Sequence, residues 1–538
     1  MDFKAILFDT RSIQKYIFSG NKLKTNIGAS YLVEQIFDDT LLDVLRTKLG
    51  AGEVDEATWK EVAKPNWTDM ACTARIGYIG GGNALVLFQP SADDRLLEEI
   101  VYDFTKRLLV EYPGLSTGAA IGSIRLEADG RMGADAAGIN DLSKLVHKLK
   151  GYQSSVFPNV SVGYTGLTLV CDVNGEAANG YDKSAGRFYS QEVLSKLRAN
   201  SNSGGQEAKA EGKLRSKLQE VFSHMPHKEN ILAEYAFPKD IDHLGQKETE
   251  NYFAIVHIDG NNMGQKFAAC KTLTERKNRS LEIRRKTIAA FCSLTDSIIG
   301  EIDSYKKDLN SFTSEEGLRE LPVRPIVLGG DDMTFVCPAK LALRYTKRVM
   351  SYMLQEGIDT CAGIAILSTA YPFFRGYTLA EQLCDAAKKA MRKNADKQSC
   401  WLDFAILHGE QAPSLEQIRN REYMSTDQKN MHFGPYRLDG DIKADNNINV
   451  LEEGILKLAY GKQRLPMNKI KDLRHILPRS EHIRKQFVQQ LGNNKLSLPQ
   501  VDAWKAYNDV LWHEGKTPYV DAIEMIDFYL PEGAEVDG

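Results

Sequence analysis

Apolar and polar positions along this chain fall into short blocks that end at polar tips. Tyr252-Phe253-Ala254-Ile255-Val256-His257-Ile258 is a mostly apolar run closed by Asp259-Gly260-Asn261-Asn262. That pattern predicts a buried β-strand ending in an acid and a small polar turn. Ile326-Val327-Leu328 and Met333-Thr334-Phe335-Val336-Cys337 flank Gly329-Gly330-Asp331-Asp332. Two apolar runs around such a tetrapeptide predict a β-hairpin whose tight turn carries two carboxylates. Further on, Leu379, Leu383, Ala387 and Ala390 recur at helical spacing, and Thr378-Leu379-Ala380-Glu381 has the form of a capping box. A helix is therefore expected to start at Thr378.

The same order of blocks occurs earlier in the chain. Phe3-Lys4-Ala5-Ile6-Leu7-Phe8 runs into Asp9, and Ile79-Gly80-Gly81-Gly82-Asn83-Ala84-Leu85-Val86-Leu87-Phe88 aligns with the later hairpin. Gly82 and Asn83 then stand where Asp331 and Asp332 stand. Asp9 and Gly82 are 73 positions apart, and Asp259 and Asp331 are 72 apart. Each half continues with a helical pattern and a strand of small residues, Thr117–Ile121 and Thr360–Ile364. A repeat decides fold before any single motif does. The expected fold is α+β, with two ferredoxin-like palm (βαββαβ) domains, a helical insert and a C-terminal helical domain. The expected boundaries are 1–150 for a degenerate first palm, 151–250 for the insert, 251–412 for the second palm and 413–538 for the helical domain.

Adjacent acids at a hairpin tip repel each other, and a divalent cation relieves that repulsion. Carboxylates from separate strands, converging on cations roughly 3.5–4 Å apart, are what two-metal nucleotidyl transfer requires. Hard oxygen donors suit Mg²⁺ or Mn²⁺. Asp259 and Asp331 are the expected holders of the cations. Asp332 is a further ligand or a neighbour of one, and the Gly260 carbonyl is an additional oxygen. Gly329 and Gly330 let a nucleotide approach the backbone. Asn262 has two readings, a contact to base or sugar and a cap for a helix near Met263, of which we favour the cap. The first copy lacks the hairpin acids, so its expected role is to support the site or bind a nucleotide.

These motifs together resemble a known family. Phe8 through Phe18, Asn21 to Lys24 and Gly28-Ala29-Ser30-Tyr31-Leu32 are similar to the first palm of the large palm-domain subunit of type III CRISPR effector complexes. Asp259 to Gly264, the Gly-Gly-Asp-Asp hairpin, and Ala380 to Cys384 through Lys388 resemble its second palm. The resemblance covers most of residues 1–412. It implies an enzyme that uses ATP and metal ions to make cyclic oligoadenylate messengers in antiviral defence. It also implies partners among the other type III subunits and guide or target RNA. It places a lysine at Lys388, where a triphosphate is held; Arg392 shares that helix face and reads equally as a solvated charge. Ser30 is either a nucleotide contact or part of a close helix packing. A cyclic dinucleotide or a linear oligomer would use the same metal site. The alternative to catalysis is a palm scaffold that binds nucleic acid or partner proteins.

The chain departs from the family pattern at three points. Many members carry an HD nuclease before the first palm; here that palm starts at Met1 and no His-Asp dipeptide occurs, so such a DNase is not expected. No Cys-x-x-Cys pair occurs, which argues against the family's zinc element. Asn261 stands in a strand-end motif that often carries more than one acid.

Composition narrows the remaining classes. With 538 residues, 43% hydrophobic and 26% charged, the chain reads as a multi-domain globular protein. A net charge of −4 leaves nucleic-acid binding to local basic patches. The stretch with Lys469, Lys471, Arg474, Arg479, Arg484 and Lys485 is such a patch, and we prefer to read it as a solvated helical face. No run of 18 apolar residues and no signal peptide are found. Eight scattered cysteines suit a reducing cytoplasm. The Ser-Gly-rich segment around 199–206 is the linker candidate, and His224 and His227 are expected at the surface. Walker A and His-Glu-x-x-His strings are absent, which removes P-loop and zincin chemistry.

Overall fold

The computed structural model describes all residues except 63, 154–163, 184, 202–207, 227, 229, 248–249, 410–413, 461–463, 509 and 532–538. Most of the linker candidate and His227 fall outside the described residues. The fold is α+β, as the repeat predicts.

The first sheet has the order Val54–Asp55, Ala74–Gly80, Asn83–Phe88, Asp2–Arg11, Ser116–Arg125. Its central strand Asp2–Arg11 is antiparallel to both neighbours. Apolar side chains cover both faces: on one, Phe3, Ala5, Leu7, Leu85 and Leu87 join the helix 141–153 through Leu142, Leu145 and Leu149, and on the other Phe8 meets Phe104 edge-on at 4.9 Å. Burying a Leu or Phe side chain contributes roughly 1.5–3 kcal/mol, so this shared core fixes the register. In that register Asp9 lies opposite Asn83.

The second sheet has the order Arg324–Gly329, Asp332–Pro338, Tyr252–Gly260, Thr360–Ser368, Trp401–Ile406, Tyr436–Arg437. Leaving aside the peripheral strands 54–55, 401–406 and 436–437, the two sheets share one strand order, as expected for two βαββαβ units. Phe253 through Ile258 are all buried, the mark of a strand covered on both faces. On one face lies the helix Phe373–Lys393, which buries Leu379, Leu383 and Ala387. Gly363 permits that approach: a Cβ there would meet the Ala380 carbonyl oxygen at 2.0 Å.

The start of that helix corrects the expectation from Thr378. Pro372 stands at the N-cap and the helix begins at Phe373, where a proline without an N–H costs nothing. Thr378 lies inside, and its hydroxyl donates back to the Phe374 carbonyl at 2.9 Å, a known alternative to capping.

Beyond residue 413 the regular structure of the described chain is mainly helical, with Leu415–Glu422, Ile448–Ala459, Met467–Ile476, Glu481–Asn493 and Tyr519–Met525. The short strand Tyr436–Arg437, which pairs with Trp401–Leu402, was not expected there. Four of the six basic residues are paired: Arg474 with Glu524 at 2.7 Å, Lys469 with Asp472 at 2.9 Å, Lys485 with Glu481 at 2.7 Å and Arg484 with Asp427 at 3.5 Å.

Two compact units emerge. One comprises Met1–Ala233, Asn262–Cys292 and Ile326–Asp331; the other comprises Glu234–Asn261, Ser293–Pro325 and Asp332–Gly538. Among the described residues no helix is long and apolar enough to cross a membrane.

Candidate active site

The site grows from the strand Tyr252–Gly260. Side chains two apart on a strand share a face, so His257 and Asp259 project together. The neighbouring strand pairs Met333 with Ile258 and Thr334 with His257; one step further in that register, Asp332 faces Asp259. The ligand atoms of His257, Asp259 and Asp332 all lie within 4.8 Å of one another. Two carboxylates and one imidazole at that spacing form a group that can hold a divalent cation, and the carboxylates suit a hard one.

Two charges from the covering helix complete the setting. Lys388 forms an ion pair with Asp259 Oδ2, and the two side chains are 17% and 20% exposed. Burial and the nearby Arg392 push Lys388 down to about 8, while the contact with Asp259 works the other way. Arg392 itself is exposed one turn further along. His257 is 6% exposed; its Nδ1 lies 3.1 Å from the Thr334 hydroxyl, and its ring meets Tyr377 edge-on at 5.6 Å. Burial first, and then the Lys388 charge, pull its pKa down to about 4, so the imidazole is neutral at pH 7.

Asp331 is outside the three-residue group. Burial raises its carboxyl pKa, and Lys266 together with its own backbone N–H holds it back. The turn it occupies needs a left-handed residue, and Gly330 supplies it at φ 60°. Asp331 therefore keeps an ordinary conformation, as the second residue of a hairpin turn with glycine first. Gly329 ends its strand, and a Cβ there would meet nothing within 4 Å. Gly260 ends the central strand opposite Thr360.

The remaining candidates are placed as follows. Asn262 sits at the N-cap of the helix Met263–Ala268 in a left-handed conformation at φ 58°, with no side-chain cap bond. Asn261 is buried; its amide donates to the Ser399 carbonyl at 3.1 Å and its backbone N–H to Asp359 at 2.8 Å, so it braces the strand end. Ser30 is half-buried on the helix Leu23–Gln35 in the other unit. The small residues before it serve close packing, since a Cβ at Gly28 would lie 1.9 Å from the Lys196 carbonyl oxygen.

Sequence reasoning missed His257. Its signal was the two-residue step to Asp259 on a strand already identified. The ion pair of Lys388 with Asp259 carried no local signal, because 129 positions separate the two residues.

With this geometry in view, the comparisons with known proteins become specific. Residues 252–396 match the family described as Cas10/Cmr2, second palm domain. The matched segment contains Asp259, the Gly-Gly-Asp-Asp turn and Lys388, and it agrees with the resemblance read from the sequence. No curated protein matches the chain. Among solved structures, Csm1 from T. onnurineus is similar over 97% of this chain and 69% of its own, at 15% identity and a TM-score of 0.52. A Csm1–Csm4 cassette in complex with pppApApA is similar over 97% of this chain and 69% of its own, at 13% identity and a TM-score of 0.52. The cassette in complex with cA4 gives 98%, 69%, 14% and 0.50. At these identities the likeness is one of fold, and the Cas10/Cmr2 second palm is the segment for which family and geometry coincide.

Proposed function

We propose that this chain is a metal-dependent nucleotidyltransferase that joins ATP into a cyclic oligoadenylate or a related cyclic or linear nucleotide, as a type III CRISPR effector subunit. The observation that carries the reading is the grouping of Asp259, Asp332 and His257 within 4.8 Å, inside a segment matching the Cas10/Cmr2 second palm. The similar cassettes were solved with pppApApA and cA4, which supports oligoadenylate chemistry for this fold.

Asp259, Asp332 and Asp331 would hold Mg²⁺ or Mn²⁺, with the Gly260 carbonyl as a further oxygen. Such a cation, when bound, acts as a Lewis acid that makes a ribose hydroxyl a better nucleophile and neutralises charge on departing pyrophosphate. The chain's own residues do the rest. Neutral His257 adds no positive charge to compete with the cation at the carboxylates. Lys388 neutralises Asp259 when no cation is present, and it would be available to a triphosphate once a cation takes over the carboxylate. Arg392 extends the positive edge of that helix. Gly329 and Gly330 leave room for a nucleotide against the turn. Positioning and charge neutralisation supply most of the acceleration in transfers of this kind. The implied partners are ATP, other type III subunits such as a Csm4-like protein, and guide or target RNA. The domain limits 1–150, 151–250, 251–412 and 413–538 follow the repeat and belong to this proposal, as does a cytoplasmic setting.

The test is direct. The full chain is incubated with ATP and Mg²⁺, alone and with its partner subunits and target RNA, and products are resolved by mass spectrometry. Oligoadenylate should form and should vanish in Asp331→Ala/Asp332→Ala. A double variant as productive as wild type would sink the assignment and leave the scaffold role.

A further inference from the structure

The Gly-Gly-Asp-Asp turn is held from outside its own sheet. The Thr287 hydroxyl donates to the Gly330 carbonyl at 2.8 Å, and Thr287 is 1% exposed. Lys217 Nζ donates to the Leu328 carbonyl at 3.2 Å and is ion-paired with Glu34. Two side chains from two helices, 209–222 and 273–301, thus grip the backbone just before the acids. All these residues belong to the same compact unit.

The Thr287 bond has a specific consequence. The Gly330 carbonyl belongs to the peptide plane whose nitrogen is that of Asp331, and a peptide plane turns as one body. Fixing that oxygen fixes the N–Cα bond of Asp331, the axis about which its side chain is carried. Gly330 itself resists little, since glycine rotates freely about its backbone. A turn built on glycine needs an external bond to hold one orientation.

The helix that carries Thr287 is moored on the first copy of the repeat. Trp67 donates its indole N–H to Thr274 at 2.7 Å. Lys277 is fully buried, and it donates to the carbonyls of Thr58 at 2.7 Å and Glu61 at 2.6 Å. Arg284 reaches Asp38 at 3.4 Å. Residues 38–67 are therefore tied through one helix to the peptide plane of Asp331. At the turn of the first sheet, the Gly82 carbonyl accepts from the Thr10 backbone N–H at 2.8 Å, a bond made within that sheet.

We propose that Thr287, aided by Lys217, is a positioning residue that sets the orientation of Asp331, and that the first palm contributes to the reaction by mooring the helix that carries it. The proposal rests on the nucleotidyltransferase reading of the second palm. Its test compares Thr287→Val, which keeps shape and removes the donor, with Thr287→Ser, which restores the donor. Both are made in the full chain and measured for kcat and KM in ATP turnover with Mg²⁺, for Mn²⁺ affinity by titration, and for thermal unfolding.

Thr287→Val should lower kcat roughly 10- to 100-fold, the scale of a small misplacement at a reacting centre. Its KM for ATP should change less than about 2-fold, because uniform binding is not what the residue supplies. Mn²⁺ affinity should weaken, and Thr287→Ser should recover both values. Lys217→Met should lower kcat by a smaller factor. The proposal is overturned if Thr287→Val keeps wild-type kcat and Mn²⁺ affinity. It is equally overturned if Thr287→Ser is as impaired as Thr287→Val, since shape rather than the hydroxyl would then matter. If wild type makes no product but Thr287→Val still weakens Mn²⁺ binding and Thr287→Ser restores it, the catalytic reading fails and the positioning role stands.

Discussion

The two palm sheets share a strand order and differ at the tip. On the first, Asp9 lies opposite Asn83, and the Gln153 amide donates to its carboxylate at 2.8 Å. On the second, Asp259 faces Asp332 and is paired with Lys388. Two positions before the shared acid stand Leu7 and His257. Leu7 is part of the first core, whereas His257 joins the acid group. The two hairpin acids Asp331 and Asp332 thus have uncharged counterparts, Gly82 and Asn83, in the first copy, while the strand-end acid is kept. Burial raises the Asp9 carboxyl pKa despite the Gln153 bond and the nearby charges of Lys150 and Arg11. The fold does not need the acids, so their presence in one copy asks for a reason outside folding.

The turns differ in the same sense. Gly81 and Gly82 both have positive φ, 59° and 79°, whereas in the second turn only Gly330 does. An aspartate is tolerated at position 331 because only the preceding glycine of that turn takes a left-handed conformation. The exchange of Gly82 for Asp331 therefore comes with a different turn type, and the first copy is not one substitution away from the second.

Three experiments press on this contrast. The largest effect is expected from paired substitutions of the shared acid. Asp259→Asn should reduce ATP turnover by about 10³-fold or more, the scale of losing several kcal/mol of charge stabilisation. Asp9→Asn should leave turnover within a few fold; equal losses in both would erase the distinction between the copies.

A second effect concerns pH. His257 titrates at about 4 in the folded protein against 6.5 when exposed. Between those values the unfolded chain binds a proton that the folded one refuses. The stabilisation is complete above pH 6.5 and is lost as pH falls toward 4, by roughly 3 kcal/mol in all. Urea unfolding of the metal-free chain should show that slope, and His257→Leu, which installs the residue of the first sheet, should flatten it. An unchanged slope would contradict a buried, neutral His257.

The third effect is smaller. Gly82→Asp/Asn83→Asp copies the acids onto the first turn. Because Gly82 sits at φ 79°, the double variant should lose about 1–3 kcal/mol of stability and gain no Mn²⁺ binding. A stable variant that binds a further Mn²⁺ would show that the turn geometry is not the barrier.

Much of this was legible in the sequence because it is local. The strands announced themselves by apolar runs, the turns by glycine, and the repeat by nearly equal spacing. Asp259 and the hairpin acids followed from strand ends. What stayed hidden is what distance in sequence hides. Lys388 reaches Asp259 only once a helix packs on the sheet, and Thr287 meets Gly330 across a sequence separation of 43 positions. Thr378 misled for another reason: a good capping sequence yields to an earlier proline start when the helix can extend. Register, which the hairpin motif alone does not give, places Asp332 rather than Asp331 across from Asp259.

Mn²⁺ binding to the full chain, followed by electron paramagnetic resonance, measures the central claim most directly. Wild type and Asp9→Asn should bind Mn²⁺ alike, while Asp259→Asn and Asp332→Asn should each lose most of the affinity. Equal binding by all four proteins would contradict the account, because the ion would then reside somewhere other than the carboxylates of the second sheet.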